Sequence, residues 1–371
     1  MSEKVMPVRS PRWTNSVLVP FFAIAAAFVL GALIVMLAGT SWSDTLNAYR
    51  QLFVGSVGSA KAFSETLTAA TPLILSGLAV AIAFRSGLFN IGGEGQIMAG
   101  GMCAVYAGFT FSSLPAFLHL PIALFAGVLG GALWGFVPGL LKARTGAHEV
   151  IVTIMMNFVA LRLVDYFLKT TLFQREGRND PVSKNIAESA RLPHLLGWWD
   201  GSMRVHAGLI VALCAAGLVA WLLGRTTVGF EFRAVGSNAD SAKYAGMSAT
   251  KVYILAMMFA GGLAGLAGSS QVLGVLNRAS PGFSANLGFD GIAVALLGKS
   301  KPWGVVASAL LFGALRAGGQ QMQARAGVGI DLVSVIQALV IIFIAAPSLV
   351  SWVFRLKSST ESGTSPQGRS S

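Results

Sequence analysis

Charge is what this chain has little of: only 11% of its 371 residues are Asp, Glu, Lys or Arg, where a soluble domain carries about 25%. With 54% hydrophobic residues and 44 glycines besides, too little polar surface exists to cover a water-soluble core. A soluble enzyme and a disordered chain are both excluded, and lipid is the solvent that fits. Cysteine is scarce too. Cys103 and Cys214, both inside apolar runs, exclude a disulfide framework. Four His residues without ligand spacing give no metal site, and nothing asks for a cofactor. A phosphate-binding loop is also missing. The nearest approach to G-x-x-x-x-G-K-[ST], ending in Gly298-Lys299-Ser300, has Ala293 in place of the first glycine, so the chain cannot supply its own ATP hydrolysis. With no H-E-x-x-H or G-x-S-x-G stretch, a membrane-embedded hydrolase finds little support. The net charge of +12 is scattered between apolar runs, which speaks against nucleic acid and for membrane orientation.

What is present is a series of apolar runs. A span needs about 20 apolar residues to cross a ~30 Å hydrocarbon layer, so about ten passes fit and the expected fold is an all-α polytopic membrane protein. The runs are Val17–Ala38, Glu65–Phe84, Ile91–Phe111, Leu120–Leu141, Glu149–Leu168, His206–Leu223, Val252–Leu273, Leu287–Gly298, Trp303–Gly319 and Leu332–Phe354. The first is too long for a signal-peptide core and reads as an uncleaved span. The resulting division is a cytoplasmic N-terminus over 1–16, a membrane domain over 17–357 and a disordered cytoplasmic tail over 358–371. With the N-terminus inside, 15 Lys and Arg fall in inner segments and 4 in the short outer ones, the bias that the positive-inside rule requires. A long outer loop, 169–205, and a long inner one, 224–251, complete the topology.

Glycine sits inside the spans. Gly127, Gly131, Gly135 and Gly139 recur every fourth residue, Gly261 and Gly265 lead to Ser269, and Gly100, Ala104 and Gly108 repeat the spacing. Such ridges let helices approach backbone to backbone. Two segments are interrupted. Phe84 to Gln96 places an arginine, Asn90, Glu94, Gln96 and four glycines between apolar stretches, and Asn286 to Gly298 is too short to cross alone. Unwound backbone at depth is tolerated where protein or a watery cavity satisfies it, and breaks in corresponding places of two halves mark a transport pathway. If spans two to five correspond to seven to ten, the halves are inverted.

Glu94 and Asp290 are costly at membrane depth and suggest function; alternatively, Glu94 accepts the freed N–H groups around Gly92 and Gly95. Glu149, Thr153 and Asn157 form one polar stripe at i, i+4 and i+8, either interhelical glue or pathway lining. Replacing Asn157 by leucine is expected to reduce uptake without unfolding the protein. Arg162 and Asp165, three apart, are expected to pair. The pathway candidates are thus Asn90, Glu94, Gln96, Glu149, Thr153, Asn157 and Asp290. In the inner loop, Ser237 to Gly246 reads as a short helix with Asn238 as N-cap, Asp240 in its first turn, Lys243 near its end and Gly246 as stop. Two turns with small residues, Ala245 among them, and an exposed Tyr244 look built to enter a cleft on another protein; the alternative is an ordinary amphipathic connector.

These residues carry a family resemblance. Gly87-Leu88-Phe89-Asn90-Ile91-Gly92-Gly93-Glu94-Gly95-Gln96, His148 to Asn157, Arg233 to Gly246 and Gly288 to Gly298 resemble the permease subunits of ABC importers for nucleosides and simple sugars, within the ribose and branched-chain amino-acid permease group. The resemblance runs from about Leu52 to Phe354, and Ala239 stands where many relatives carry proline. It implies a bacterial inner-membrane location and three partners: an ATP-binding subunit with two nucleotide-binding halves, a paralogous second permease, and an extracytoplasmic solute-binding protein. Asn238 to Gly246 would be the coupling helix. An ion-coupled secondary transporter is the rival, because Glu94, Glu149 and Asp290 could serve as proton or sodium sites.

Overall fold

Apolar runs broken by capping residues and glycine give a chain of helices. The computed structural model describes residues 12–345 except 38, 176, 178 and 330. Its helices are α1 (Arg12–Leu37), α2 (Trp42–Val57), α3 (Ala60–Arg85), α4 (Gly93–Thr110), α5 (Ala116–Thr145), α6 (Glu149–Phe167), α7 (Gly208–Arg225), α8 (Thr227–Ser237), α9 (Ala239–Tyr244), α10 (Ala249–Gln271), α11 (Leu287–Leu297), α12 (Pro302–Ala326) and α13 (Asp331–Ala345). Most of the expected N-terminal segment 1–16, the end of the last expected span and the tail 358–371 lie outside the described residues. Among the described residues, five helices are long and apolar enough to cross a membrane: α3, α5, α6, α7 and α10 with its continuation to Leu276. Ile24–Leu37, α11 and Asp331–Phe343 are shorter apolar stretches. The helices α2 and α8 are additions to the sequence reading.

The chain divides into two units. In one, α1 packs against α13. The other, Leu46–Ile330, is built around α3 and α10. In its most apolar stretch α3 is 83% buried, against 22% for α5 and α6. Hence α3 belongs to the core, while Phe125, Leu133, Ile151 and Phe158 on the outer helices turn to the surroundings, as lipid-facing side chains do. The glycine ridges make the tightest contacts. An added Cβ at Gly131 would run into the Gly261 carbonyl of α10, and one at Gly100 of α4 into the Gly265 backbone. Packing of this kind replaces the hydrophobic effect, which lipid does not supply between helices.

The packing has an exchange pattern. Helix α3 lies against α11 and α12, while α10 lies against α4 and α5; α3 also touches α10, and α4 touches α11. At one end of the unit, the segment from Lys169 to Ala207 is fastened to helix ends. Ser183, Ile186 and Leu192 donate their N–H groups to the carbonyls of Ala279, Asn277 and Leu273, and Ala187 donates to Gly108. The acceptors at 273–279 lie in and after a π-turn, Val272–Leu276, where Asn277 takes a left-handed φ of 57°. His119 adds a second tie, its ring 2.7 Å from Ser189 Oγ and 3.0 Å from the Ala107 carbonyl. The opposite end carries α8 and α9.

Candidate functional site

The first interruption is a true break. Helix α3 stops at Arg85, Gly87 takes a φ of +74°, and α4 starts only at Gly93. A break at depth frees backbone groups that must find partners. Asn90 Oδ1 accepts from Gly92 N–H at 3.0 Å, and its amide donates to Gln96 Oε1 at 3.0 Å. The Gly95 N–H goes to Asn157 Oδ1 at 2.8 Å, and Asn157 Nδ2 returns a bond to the Ile91 carbonyl at 2.9 Å. Asn90, Gln96 and Asn157 are all buried.

Glu94 does not take the Gly92 and Gly95 N–H groups, the alternative to a pathway role. The Gly92 and Gly95 N–H groups are taken by Asn90 and Asn157, and Glu94 Oε2 instead accepts the N–H of Gly288, 2.8 Å away in the first turn of α11. One carboxylate thus sits in the first turn of α4 and against the first turn of α11, where both helix dipoles favour negative charge. The two helix starts touch: an added Cβ at Gly288 would overlap the Glu94 backbone. Helix α11 is held further by Ser76 of α3, whose hydroxyl donates to the Leu287 carbonyl at 2.8 Å. Both restarted helices place an acid before a glycine, in Gly92-Gly93-Glu94-Gly95 and Gly288-Phe289-Asp290-Gly291.

The other two acids are ion-paired. Asp290 lies 2.8 Å from Arg316 of α12, which also donates to the Ala285 carbonyl at 2.7 Å. That second bond secures the left-handed pair Ala285 and Asn286 ahead of α11. Glu149 lies 2.8 Å from Lys142 at the end of α5. The stripe on α6 faces the break. Thr153 spends its hydroxyl on the Glu149 carbonyl, its Cβ would lie 3.0 Å from a Cβ at Gly92, and Asn157 makes the two bonds above. Arg162 and Asp165 approach to 3.8 Å, as their spacing predicts.

At the other candidate site, Asn238 Oδ1 accepts the Ser241 N–H at 2.9 Å, capping α9. Asp240 lies in the first turn and Lys243 in the last. Ala245 ends the helix, and Gly246 follows in the left-handed region at φ +83°. Ala242 is buried beneath, whereas Tyr244 is 95% exposed. Helix α8 supports α9, anchored by buried Phe232, whose ring meets Phe259 of α10 at 6.2 Å.

The family described as "branched-chain amino acid transport system / permease component" matches residues 62–345. The chain belongs to this permease family. The permease is 43% identical over 340 residues to a guanosine ABC transporter permease protein of Bacillus subtilis, covering 91% of this chain and 96% of the relative. It is 37% identical over 342 residues to a nucleoside ABC transporter permease protein of Lactococcus lactis, covering 91% and 93%. A glucose ABC transporter permease protein of Haloferax volcanii is 35% identical over 331 residues, covering 88% and 86%. No solved structure matches significantly.

Structure thus brings Asn90, Glu94, Gln96, Thr153 and Asn157 of the permease together around one break, with Asp290 on the adjoining α11 and Glu149 one stripe position away. It adds Lys142, Ser76 and Arg316. Arg316 had a signal, being a lone arginine in an apolar run, but nothing local ties it to Asp290. His206 was also missed. It lies two residues ahead of α7, its Nδ1 accepts the Gly208 N–H at 3.2 Å, and its ring packs on Gly274 of the π-turn. Burial, aided by His194 and Arg204, lowers its pKa from 6.5 to about 4.

Proposed function

We propose that the permease forms the membrane path of an ATP-driven importer for a neutral polar solute, a nucleoside or a simple sugar. The observation that carries this reading is the near full-length likeness to permeases named for guanosine, nucleosides and glucose. The geometry agrees with it. Asp290 and Glu149 are paired with cations, and Glu94 is held by the Gly288 N–H, which leaves these acids poorly suited to the ion-coupled rival. Asn90, Gln96 and Asn157 secure the break between α3 and α4, so in this reading they shape the pathway more than they touch the solute.

The partners follow from chemistry that the chain lacks. A separate ATP-binding subunit supplies hydrolysis and receives α9 in a cleft, with Tyr244 entering first. Each chain offers one such helix, and an ATPase with two nucleotide-binding halves has two clefts, so a second, paralogous permease fills the other. A solute-binding protein delivers its cargo at the face bearing residues 169–207. In this reading both termini face the cytoplasm of a bacterial cell, and α3 to α6 and α10 to α13 are inverted halves whose restarted helices meet at Glu94 and Gly288. The exchange of α11 and α12 on α3 for α4 and α5 on α10 supports that symmetry. Rocking of one half against the other alternates access to the central path.

The test is transport by reconstituted vesicles. Vesicles holding the permease with its three partners accumulate nucleoside or sugar only with ATP inside the partner compartment. Accumulation by the permease alone, driven by a proton or sodium gradient, overturns the reading.

A further inference from the structure

Just ahead of α9, the end of α8 meets the break before α4 at two glycines. Gly236 lies in the last turn of α8, two residues before Asn238, the cap of α9. An added Cβ on Gly236 would overlap the Arg85 carbonyl and lie 2.8 Å from the Gly87 nitrogen. An added Cβ on Gly87 would lie 3.0 Å from Gly236 Cα and 3.2 Å from its carbonyl oxygen. Backbone therefore rests on backbone, with no side chain between to change rotamer and absorb a push.

Both partners of this contact are stiffly held. Phe232 and Val235 are buried on the α8 side. On the other side, Leu88 is buried and its N–H bonds the Ala83 carbonyl at 2.9 Å. Arg85 Nε donates to the Ser300 carbonyl at 3.1 Å, tying the end of α3 to the turn between α11 and α12. From Gly87 the chain runs three residues to Asn90, whose side chain fixes Gly92, and on to Glu94, which holds the start of α11. A displacement at Gly236 thus reaches two discontinuous helices through hydrogen-bonded backbone, the type of contiguous element that can carry coupling.

We propose that Gly236 and Gly87 are the positioning residues that deliver movement of α9 to the break, so that engagement of the ATP-binding subunit moves α4 and α11. The proposal rests on the reading of α9 as the helix that this subunit grips. Its test uses the complete reconstituted complex and counts solute moved per ATP hydrolysed. Gly236→Ala keeps α9 and Tyr244, so the complex still co-purifies, while solute moved per ATP falls about tenfold, within the range of ordinary coupling energies. Gly217→Ala, at a glycine with open space around it, keeps the wild-type ratio. A wild-type ratio in Gly236→Ala overturns the proposal.

Should that variant fail to assemble, hydrogen exchange on the wild-type complex decides. Amides at 86–92 change protection when a non-hydrolysable ATP analogue binds, and indifference there overturns the proposal. Tyr244→Asp separates the two levels. Loss of the ATP-binding subunit in this variant, alongside a wild-type ratio in Gly236→Ala, sinks only the glycine link. Full assembly and transport in Tyr244→Asp sinks the docking reading beneath it.

Discussion

Asn157 shows how one side chain settles an interruption in a helix. Its amide donates to the Ile91 carbonyl and accepts from the Gly95 N–H, so leucine would leave both groups buried without partners. Each such loss costs about 1–3 kcal/mol. Asn157→Leu is therefore expected to lower the melting temperature and uptake together, measured by thermal unfolding in detergent and by transport in vesicles. This departs from the expectation drawn from sequence, in which uptake falls and the fold is untouched. A variant with an unchanged melting curve and lost uptake would mean that Asn157 meets the solute. The stripe of Glu149, Thr153 and Asn157 is legible from spacing alone, because polar residues on an apolar helix stand out. Which backbone groups they serve is not legible, since Gly95 lies 62 residues away.

Elements were readable where local chemistry decides them. Helix α9 is short, yet Asn238, Asp240, Lys243 and Gly246 mark its start, polarity and end, and the structure places a helix over Ala239–Tyr244. Ala239 departs from the proline that many relatives carry, but its place tolerates the ring. It is the first helical residue, where the N–H has no intrahelical partner, and Asn238 before it is extended at φ −158° and ψ 108°, as a residue preceding proline prefers. Ala239→Pro is expected to preserve transport and to raise stability by about 0.4–1 kcal/mol, because the unfolded chain loses freedom. Uptake and thermal unfolding of the variant check this. By contrast, α2 and α8 escaped the sequence reading. Their apolar residues are mixed with polar ones, and neither resembles a full span in hydropathy. Ion pairs such as Asp290 with Arg316 were also hidden, because only the fold sets α11 beside α12.

At the scale of the whole molecule, composition fixed the solvent and the family resemblance supplied the function class, while the loop between α6 and α7 looked like a plain connection. It is a strap with a titratable group under it. His206 is buried and neutral, with a pKa near 4 against an ordinary 6.5. Between those values the unfolded chain binds the proton that the native site refuses, so stability falls as pH drops through that window, with the full loss below about 4. The whole loss amounts to about 3 kcal/mol. Thermal unfolding in detergent from pH 7 to pH 4 is expected to show it, and His206→Asn, which keeps an acceptor for the Gly208 N–H, should flatten the curve. An identical slope in the variant would assign the acid sensitivity to another group.

The strap also bears on how the chain is made. Ser183, Ile186 and Leu192 leave the ribosome well before Leu273, Asn277 and Ala279, whose carbonyls they need. Until α10 has been made, these donors have only water, so the strap matures last although it is synthesised midway. A nascent chain halted before residue 270 should therefore expose 169–207 to added protease, and one released after residue 300 should shield it.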